Sequence, residues 1–208
     1  MRLPQSDCGC GMIQRLTMRA FFCIPIEREI CEQIGRIASR LRDMTDMRAS
    51  WVAQANYHVT VRFLGDIEPG WIPDLERIAR AACAGIKPTD GIANQVGAFP
   101  KLENARVLWV GGEAPDSLRQ LVVSLEQGLG ALGFPKQRAD RGFHITLARI
   151  KGRPDPLLPH AVDATRSLTP FRVSIGDLAL MRSTLTSHGA QYTPLFSHPL
   201  GGGTCEKV

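Results

Sequence analysis

The sequence predicts an α+β fold with two pseudo-symmetric lobes of mostly antiparallel sheet and outer helices. The tetrapeptide His58-Val-Thr-Val is repeated almost unchanged as His144-Ile-Thr-Leu, and helical sequence precedes each copy. Strand-like segments also occur in adjacent pairs instead of alternating strictly with helices, which is typical of antiparallel sheets. We therefore expect the two His-Thr strands to face each other across a central cleft.

The first half of the chain contains two predicted strands and two predicted helices. A strand over residues 19–24 ends at Pro25, and the His-Thr strand covers residues 58–64 and ends at Gly65. A second helix follows Pro73. The first helix is predicted from apolar residues at steps of three and four, namely Ile30, Ile34, Ile37, Leu41 and Met44.

The second half has the same mixture of elements. A third helix is predicted from a leucine-rich stripe between Leu118 and Leu132, and a last edge strand around residues 192–200. Five further strands are predicted at residues 92–99, 105–110, 143–150, 171–175 and 178–181. We expect residues 18–200 to form the bilobal domain, residues 1–17 a disordered extension and residues 201–208 a flexible tail.

The glycines from Gly128 to Gly133 match the dinucleotide-binding pattern G-x-G-x-x-G. That pattern requires a strand before it and a helix after it, whereas these glycines close a predicted helix. We interpret Gly133 as the C-terminal stop of the helix. A dinucleotide-binding enzyme is therefore the weakest functional candidate.

The six cysteines are scattered and contain no C-x-x-C pair, which indicates reduced thiols in a cytoplasmic protein. No apolar run approaches the roughly 18 residues needed to span a bilayer, so no membrane partner is expected. The formal net charge is +5, and residues 136–153 contain six bases against one acid. This window favours an acidic or phosphorylated partner, although a solvated loop rim would have the same composition.

The two His-Thr motifs are the candidate site. Because side chains alternate along a strand, His58 and Thr60 share one face, as do His144 and Thr146. The same period places Arg62 beside His58. One imidazole can accept a proton while another donates one, and the hydroxyls can bind phosphate oxygens.

Paired histidines also suggest a metal site. No Asp, Glu or Cys stands at ligand spacing beside either motif, so the pattern favours chemistry without metal or cofactor. The remaining three histidines, His160, His188 and His198, lie in segments rich in Pro or Gly, and we expect them in exposed loops or the tail.

These motifs and their flanks resemble the 2H phosphoesterase superfamily, and within it the bacterial RNA 2',3'-cyclic phosphodiesterases, also called 2'-5' RNA ligase-like proteins. The resemblance implies metal-independent hydrolysis of a terminal 2',3'-cyclic phosphate to a 2'-phosphate, with His58 as proton donor and His144 as proton acceptor. Arg149 matches the family's arginine, but strict alternation turns it away from His144 unless a bulge intervenes. Phe143 stands where the family often has Pro, either stacking on a base or packing in the core.

The sequence leaves other functions open. A 2'-5' RNA ligase would use the same two histidines, and a non-catalytic module that binds RNA ends would share the basic window. The expected partners are RNA ends or small cyclic nucleotides, and the chain is expected to act as a monomer.

Overall fold

The computed structural model describes residues 16–137, 142–187 and 189–202. The predicted extension over residues 1–17 and the tail over residues 201–208 lie mostly outside these ranges, as does His188. The boundaries proposed for them stay predictions.

The described residues form ten strands and four α-helices. The helices are α1 (Arg28–Asp43), α2 (Ile72–Cys83), α3 (Asp116–Ala131) and α4 (Leu158–Asp163). The strands are β1 (Met18–Pro25), β2 (Ala49–Trp51), β3 (His58–Ile67), β4 (Thr89–Ala93), β5 (Gln95–Phe99), β6 (Val107–Gly112), β7 (Phe143–Ile150), β8 (Phe171–Ile175), β9 (Asp177–Thr186) and β10 (Gly189–Pro199). Among these helices, none has the length and apolar character needed to cross a bilayer.

One large antiparallel sheet has the strand order β10-β9-β1-β3-β7-β6-β5, with β2 paired to β7. The two His-Thr strands, β3 and β7, are neighbours at its centre, where Val59 pairs with Ile145. The predicted α+β class with antiparallel sheets is confirmed. The strand predicted over residues 92–99 is divided at Asn94, because β4 leaves the large sheet and pairs with β8 in a second, two-stranded sheet.

The order of elements is repeated, with β1-α1-β3-α2 in the first half and β6-α3-β7-α4 in the second. Helix α1 packs against α4 and β7, whereas α2 packs against α3 and β10. Each half of the chain therefore contributes one helix to each of two helix pairs, α1 with α4 and α2 with α3. Val59 and Ile145 are buried on the helix-covered face, and the histidines and threonines of both motifs are half-exposed.

The glycines at the end of α3 have structural roles. The helix ends at Ala131, and Gly133 has φ of 86°, a conformation that favours glycine. A Cβ on Gly128 would lie 2.6 Å from the Ile78 side chain, so this glycine allows α2 and α3 to pack closely. The interpretation of Gly133 as a helix stop is confirmed.

Three of the six cysteines lie in the described residues, and all three, Cys23, Cys31 and Cys83, are buried free thiols. The prediction of reduced thiols is confirmed for them. Burial raises the pKa of Cys23 to about 12, which makes this thiol a poor nucleophile.

Candidate active site

The pairing of Val59 with Ile145 brings both motifs onto one open face of the sheet. In an antiparallel pair, the residues on either side of a bridge face each other across the strands. His58 therefore lies on the side of Thr146, and Thr60 on the side of His144. Two imidazoles and two hydroxyls meet on a single surface.

Two short contacts orient the His58 ring. Its Nδ1 lies 2.8 Å from the carbonyl oxygen of Asn56, and its Nε2 lies 3.0 Å from Oγ1 of Thr60. Because a carbonyl only accepts, Nδ1 must carry a proton, and in the neutral ring the Thr60 hydroxyl donates to Nε2. The proton on Nδ1 thus leaves Nε2 as the ring atom that gains or loses a proton.

The electrostatic surroundings favour the neutral form of His58. Burial is the main cause that lowers the pKa of His58, and the positive charges of His144 and Arg149 lower it further. The hydrogen bond to the Asn56 carbonyl opposes this shift. A positive charge on His144 would therefore favour the neutral form of His58.

Aromatic side chains surround the His58 ring. The ring of Phe21 lies 4.9 Å from it and that of Tyr192 lies 5.3 Å from it, the latter edge-on. Asn56 Nδ2 donates to the carbonyl of Ala190 at 2.7 Å, which ties β10 to the segment that precedes β3. Asn56 therefore holds His58 with its backbone and the Tyr192 strand with its side chain.

The His144 ring has a corresponding aromatic wall. Phe99 lies 5.2 Å from it in an edge-on arrangement, and Trp109 lies 6.4 Å away. Phe99 and Trp109 stack on each other at 5.3 Å. A Cβ on Gly97 would lie 2.3 Å from the Trp109 ring, so only glycine allows the indole to occupy this position.

A β-bulge brings Arg149 to the site. The pairing of β7 with β6 shifts by one residue at Leu147, and beyond it Arg149 is exposed while Ile150 is buried. The bulge that the sequence analysis named as the exception to strict alternation is present, and it puts Arg149 on the face of His144 and Thr146. The charge of Arg149 contributes to the lowered pKa of His58.

A second bulge removes Arg62 from the site. The pairing of β1 with β3 shifts at Val61, and Arg62 turns into the core, where it is 3% exposed. Its guanidinium pairs with Glu126 and donates to the carbonyl of Pro135. The prediction that Arg62 lies beside the first histidine, available to substrate, is wrong.

Phe143 is a core residue. It is 1% exposed, and its ring packs so closely on Gly91 that a Cβ there would lie 3.1 Å from the ring. No face of the ring is open to a base. The base-stacking interpretation is therefore wrong, and the alternative of core packing is confirmed.

His160 and His198 lie away from this face. His160 is exposed, as expected, but it lies in the helix α4 and not in a loop. His198 is 14% exposed in β10 with Nε2 3.5 Å from Glu76, so the expectation of an exposed tail residue is wrong. Within the described ranges, no three His, Cys, Asp or Glu residues cluster as metal ligands would.

The two halves of the chain carry the same family signature. The sequence profile of the LigT-like phosphoesterases matches residues 24–109 and residues 110–192, and each match contains one His-Thr motif. The chain belongs to this family. The family predicted from the two His-Thr motifs of this LigT-like phosphoesterase is therefore confirmed.

Known LigT-like relatives align over nearly their whole length. A relative from Aeropyrum pernix is 33% identical over 171 residues, covering 78% of this chain and 94% of the relative. One from Methanothermobacter thermautotrophicus is 28% identical over 181 residues, covering 86% of this chain and 97% of the relative. Both relatives are named RNA 2',3'-cyclic phosphodiesterase.

Solved structures show the same fold. TT0787 of Thermus thermophilus has a TM-score of 0.71 at 24% identity, covering 90% of this chain and 100% of that one. Escherichia coli LigT complexed with 3'-AMP has a TM-score of 0.68 at 23% identity, covering 89% and 99%. The bilobal sheet of this LigT-like phosphoesterase is therefore shared with crystallised proteins.

Five residues around the two histidines carry no recognisable motif in the sequence, namely Phe21, Asn56, Phe99, Trp109 and Tyr192. Asn56 stands two residues before the first histidine, and this proximity was the one local signal available. The aromatic residues come from strands remote in sequence, so only the order of strands in the sheet reveals their contacts.

Proposed function

We propose that the chain hydrolyses the 2',3'-cyclic phosphate at an RNA end to a 2'-phosphate, with His58 and His144 as an acid–base pair and without a metal. The observation that carries the proposal is the pairing of Val59 with Ile145, which puts both motifs on one open face. Curated relatives named RNA 2',3'-cyclic phosphodiesterase support the substrate class.

The proposed reaction has one bond forming and one breaking. A water oxygen attacks phosphorus while the bond from phosphorus to the 3'-oxygen breaks, leaving a 2'-phosphate and a 3'-hydroxyl. His144 accepts the proton of the water, and His58 donates a proton to the departing 3'-oxygen. After turnover His144 carries the extra proton and His58 lacks one, so solvent exchange restores both.

Other side chains of this face stabilise charge in the proposal. The hydroxyls of Thr60 and Thr146 donate to the non-bridging phosphate oxygens, where an aligned donor contributes about 10²-fold in rate. Arg149 lies on the same face through its bulge and attracts the phosphate anion. Each group acts on negative charge that grows in the transition state.

The donor role requires a protonated His58, although burial lowers the pKa of this histidine in the free protein. A phosphate anion beside the ring favours the charged form and raises the pKa. In the proposal, substrate binding therefore supplies the condition under which His58 takes up its proton. Its Nδ1 stays bonded to the Asn56 carbonyl throughout, which keeps Nε2 aimed at the phosphate.

The test is product analysis on an oligonucleotide that ends in a 2',3'-cyclic phosphate, with excess EDTA present. We expect a 2'-phosphate product, and His58→Ala and His144→Ala should each lower kcat by about 10²- to 10⁴-fold. His160→Ala, an exposed control in α4, should leave turnover unchanged. Intact turnover in either catalytic variant, or loss of activity in EDTA, would refute the proposal.

The same experiment separates the two alternatives. An RNA-end binding module would retain the oligonucleotide without consuming it. A ligase would join this oligonucleotide to a second RNA with a 5'-hydroxyl, because ligation and its reversal use the same two proton-transfer groups. A parallel incubation with that second RNA distinguishes joining from hydrolysis.

A further inference from the structure

Four exposed basic side chains lie at one end of the large sheet, where β2 and β6 begin and β7 ends. Arg48 precedes β2, Arg106 precedes β6, and Lys151 and Arg153 follow β7. Because β2 and β6 both run antiparallel to β7, their first residues lie beside its last ones. We call this group of four residues the strand-end surface.

Backbone contacts hold the strand-end surface together. The amide of Lys151 donates to the carbonyl of Arg48 at 2.7 Å, and the amide of Ile150 donates to the carbonyl of Arg106 at 2.9 Å. Nη1 of Arg106 also donates to the carbonyl of Gly152 at 2.8 Å. Hydrogen bonds therefore hold Arg48 and Arg106 beside the end of β7, and Arg153 follows two residues after Lys151.

The charge of this surface is only partly compensated. In the described part of the chain, none of the four bases forms an ion pair with a carboxylate. Three acids stand within three residues of these bases, namely Asp46, Glu103 and Asp155, and the Asp155 carboxylate accepts from the backbone amides of Asp46 and Leu157. Four bases against three acids leave a net positive surface.

This surface continues the line of the active site along β7. His144, Thr146 and Arg149 lie on the open face of the strand, and Lys151 follows two residues later. At a rise of roughly 3.3 Å per residue, Lys151 is about 7 Å beyond Arg149 and about 23 Å from His144. A polyanion whose end lies at His58 and His144 can therefore reach the four basic side chains of the strand-end surface.

We propose that the strand-end surface binds the phosphodiester backbone of the single-stranded RNA that leads to the cyclic end. This inference rests on the proposed function and narrows its substrate class to oligonucleotides. Exposed Lys and Arg side chains bind phosphates through release of counterions and do not distinguish nucleobases. For single strands, each phosphate contact contributes about 0.7 to the slope of log affinity against log salt concentration. Affinity should therefore grow with chain length and fall with salt, without sequence preference.

The test compares a decanucleotide with a mononucleotide, each ending in a 2',3'-cyclic phosphate. For K151Q/R153Q we expect a higher KM for the decanucleotide, with a slope of log KM against log salt smaller by about 1.4. Its kinetics on the mononucleotide, which is too short to reach the surface, should be unchanged. The matched control R36Q/R40Q removes the same charge from exposed positions of α1, on the helix layer.

An unchanged salt slope in K151Q/R153Q, or an equal change in R36Q/R40Q, would overturn the inference. Failure of the proposed function gives a different result, because then the wild type would consume neither substrate. In that case fluorescence anisotropy of a labelled decanucleotide still decides: binding weakened in K151Q/R153Q alone supports the strand-end surface, and equal binding by all three proteins overturns it.

Discussion

The buried ion pair between Arg62 and Glu126 gives the sharpest prediction about stability. Nε of Arg62 lies 2.5 Å from Oε1 of Glu126, and their side chains are 3% and 12% exposed. The contact joins two charges without an aligned hydrogen bond at Nε. Removing one partner of such a pair costs about 3–5 kcal/mol, because the remaining charge stays buried.

Glu126→Leu should therefore lower the free energy of unfolding by about 3–5 kcal/mol. Arg62→Met should cost less, because the Glu126 carboxylate still accepts from the Gln137 amide at 3.3 Å and is partly exposed. The double variant R62M/E126L should be close to wild type, since replacing a buried pair with apolar side chains is often neutral. Urea denaturation of the wild type, the two single variants and the double variant measures these free energies of unfolding as a double-mutant cycle.

The exposed pair Arg119 and Glu113, 2.8 Å apart, is the matched control. Their side chains are in contact with water, so Arg119→Met should change stability by less than about 1 kcal/mol. The reasoning would be refuted if Glu126→Leu cost no more than this control. It would equally be refuted if the double variant lost the sum of the two single losses.

Four further predictions concern the site and the strands that carry it. The His58 imidazole should titrate below its usual 6.5 in NMR, and inorganic phosphate should raise its pKa; an unshifted value would contradict the electrostatics. Because unfolding frees this histidine to bind a proton, the free energy of unfolding should fall as pH drops below about 6.5, less steeply in His58→Gln; equal slopes would contradict this. Asn56→Ala removes the bond to Ala190 and should cost about 0.5–1.5 kcal/mol in unfolding experiments and lower kcat; wild-type turnover would exclude a positioning role. Gly111→Ala would put a Cβ 2.1 Å from the Phe143 carbonyl oxygen, so this variant should lose at least about 1–3 kcal/mol of stability in thermal melts, and a wild-type Tm would count against the packing.

The alternation of side chains along a strand was sufficient to place the histidine and threonine of each motif on one face. It was insufficient to predict the faces on which Arg62 and Arg149 lie. His58 and His144 each stand within two residues of their threonine, before any irregularity in the strand. Arg62 and Arg149 lie beyond bulges at Val61 and Leu147, and each bulge inverts the faces of the residues that directly follow it. Bulges depend on pairing with neighbouring strands, so a single strand's pattern does not reveal them.

Other parts of the site depend on which strands meet. Tyr192 contacts His58 because β10 belongs to the same sheet as β3, with β9 and β1 between them. Phe143 is buried because Gly91, from the separate two-stranded sheet, offers space for its ring. Composition and periodicity predicted α1, α2, α3 and most of the strands but missed β2 and α4, and the long-range contacts required the sheet order.

The most direct test of the paired-histidine account is the pH dependence of kcat/KM on a cyclic-phosphate oligonucleotide. The account predicts a bell-shaped profile for the wild type, because one histidine must be protonated and the other neutral. His58→Gln and His144→Gln should each lower the maximum by about 10²- to 10⁴-fold and abolish one limb of the bell. A variant that kept both limbs, or kept its turnover, would contradict the account.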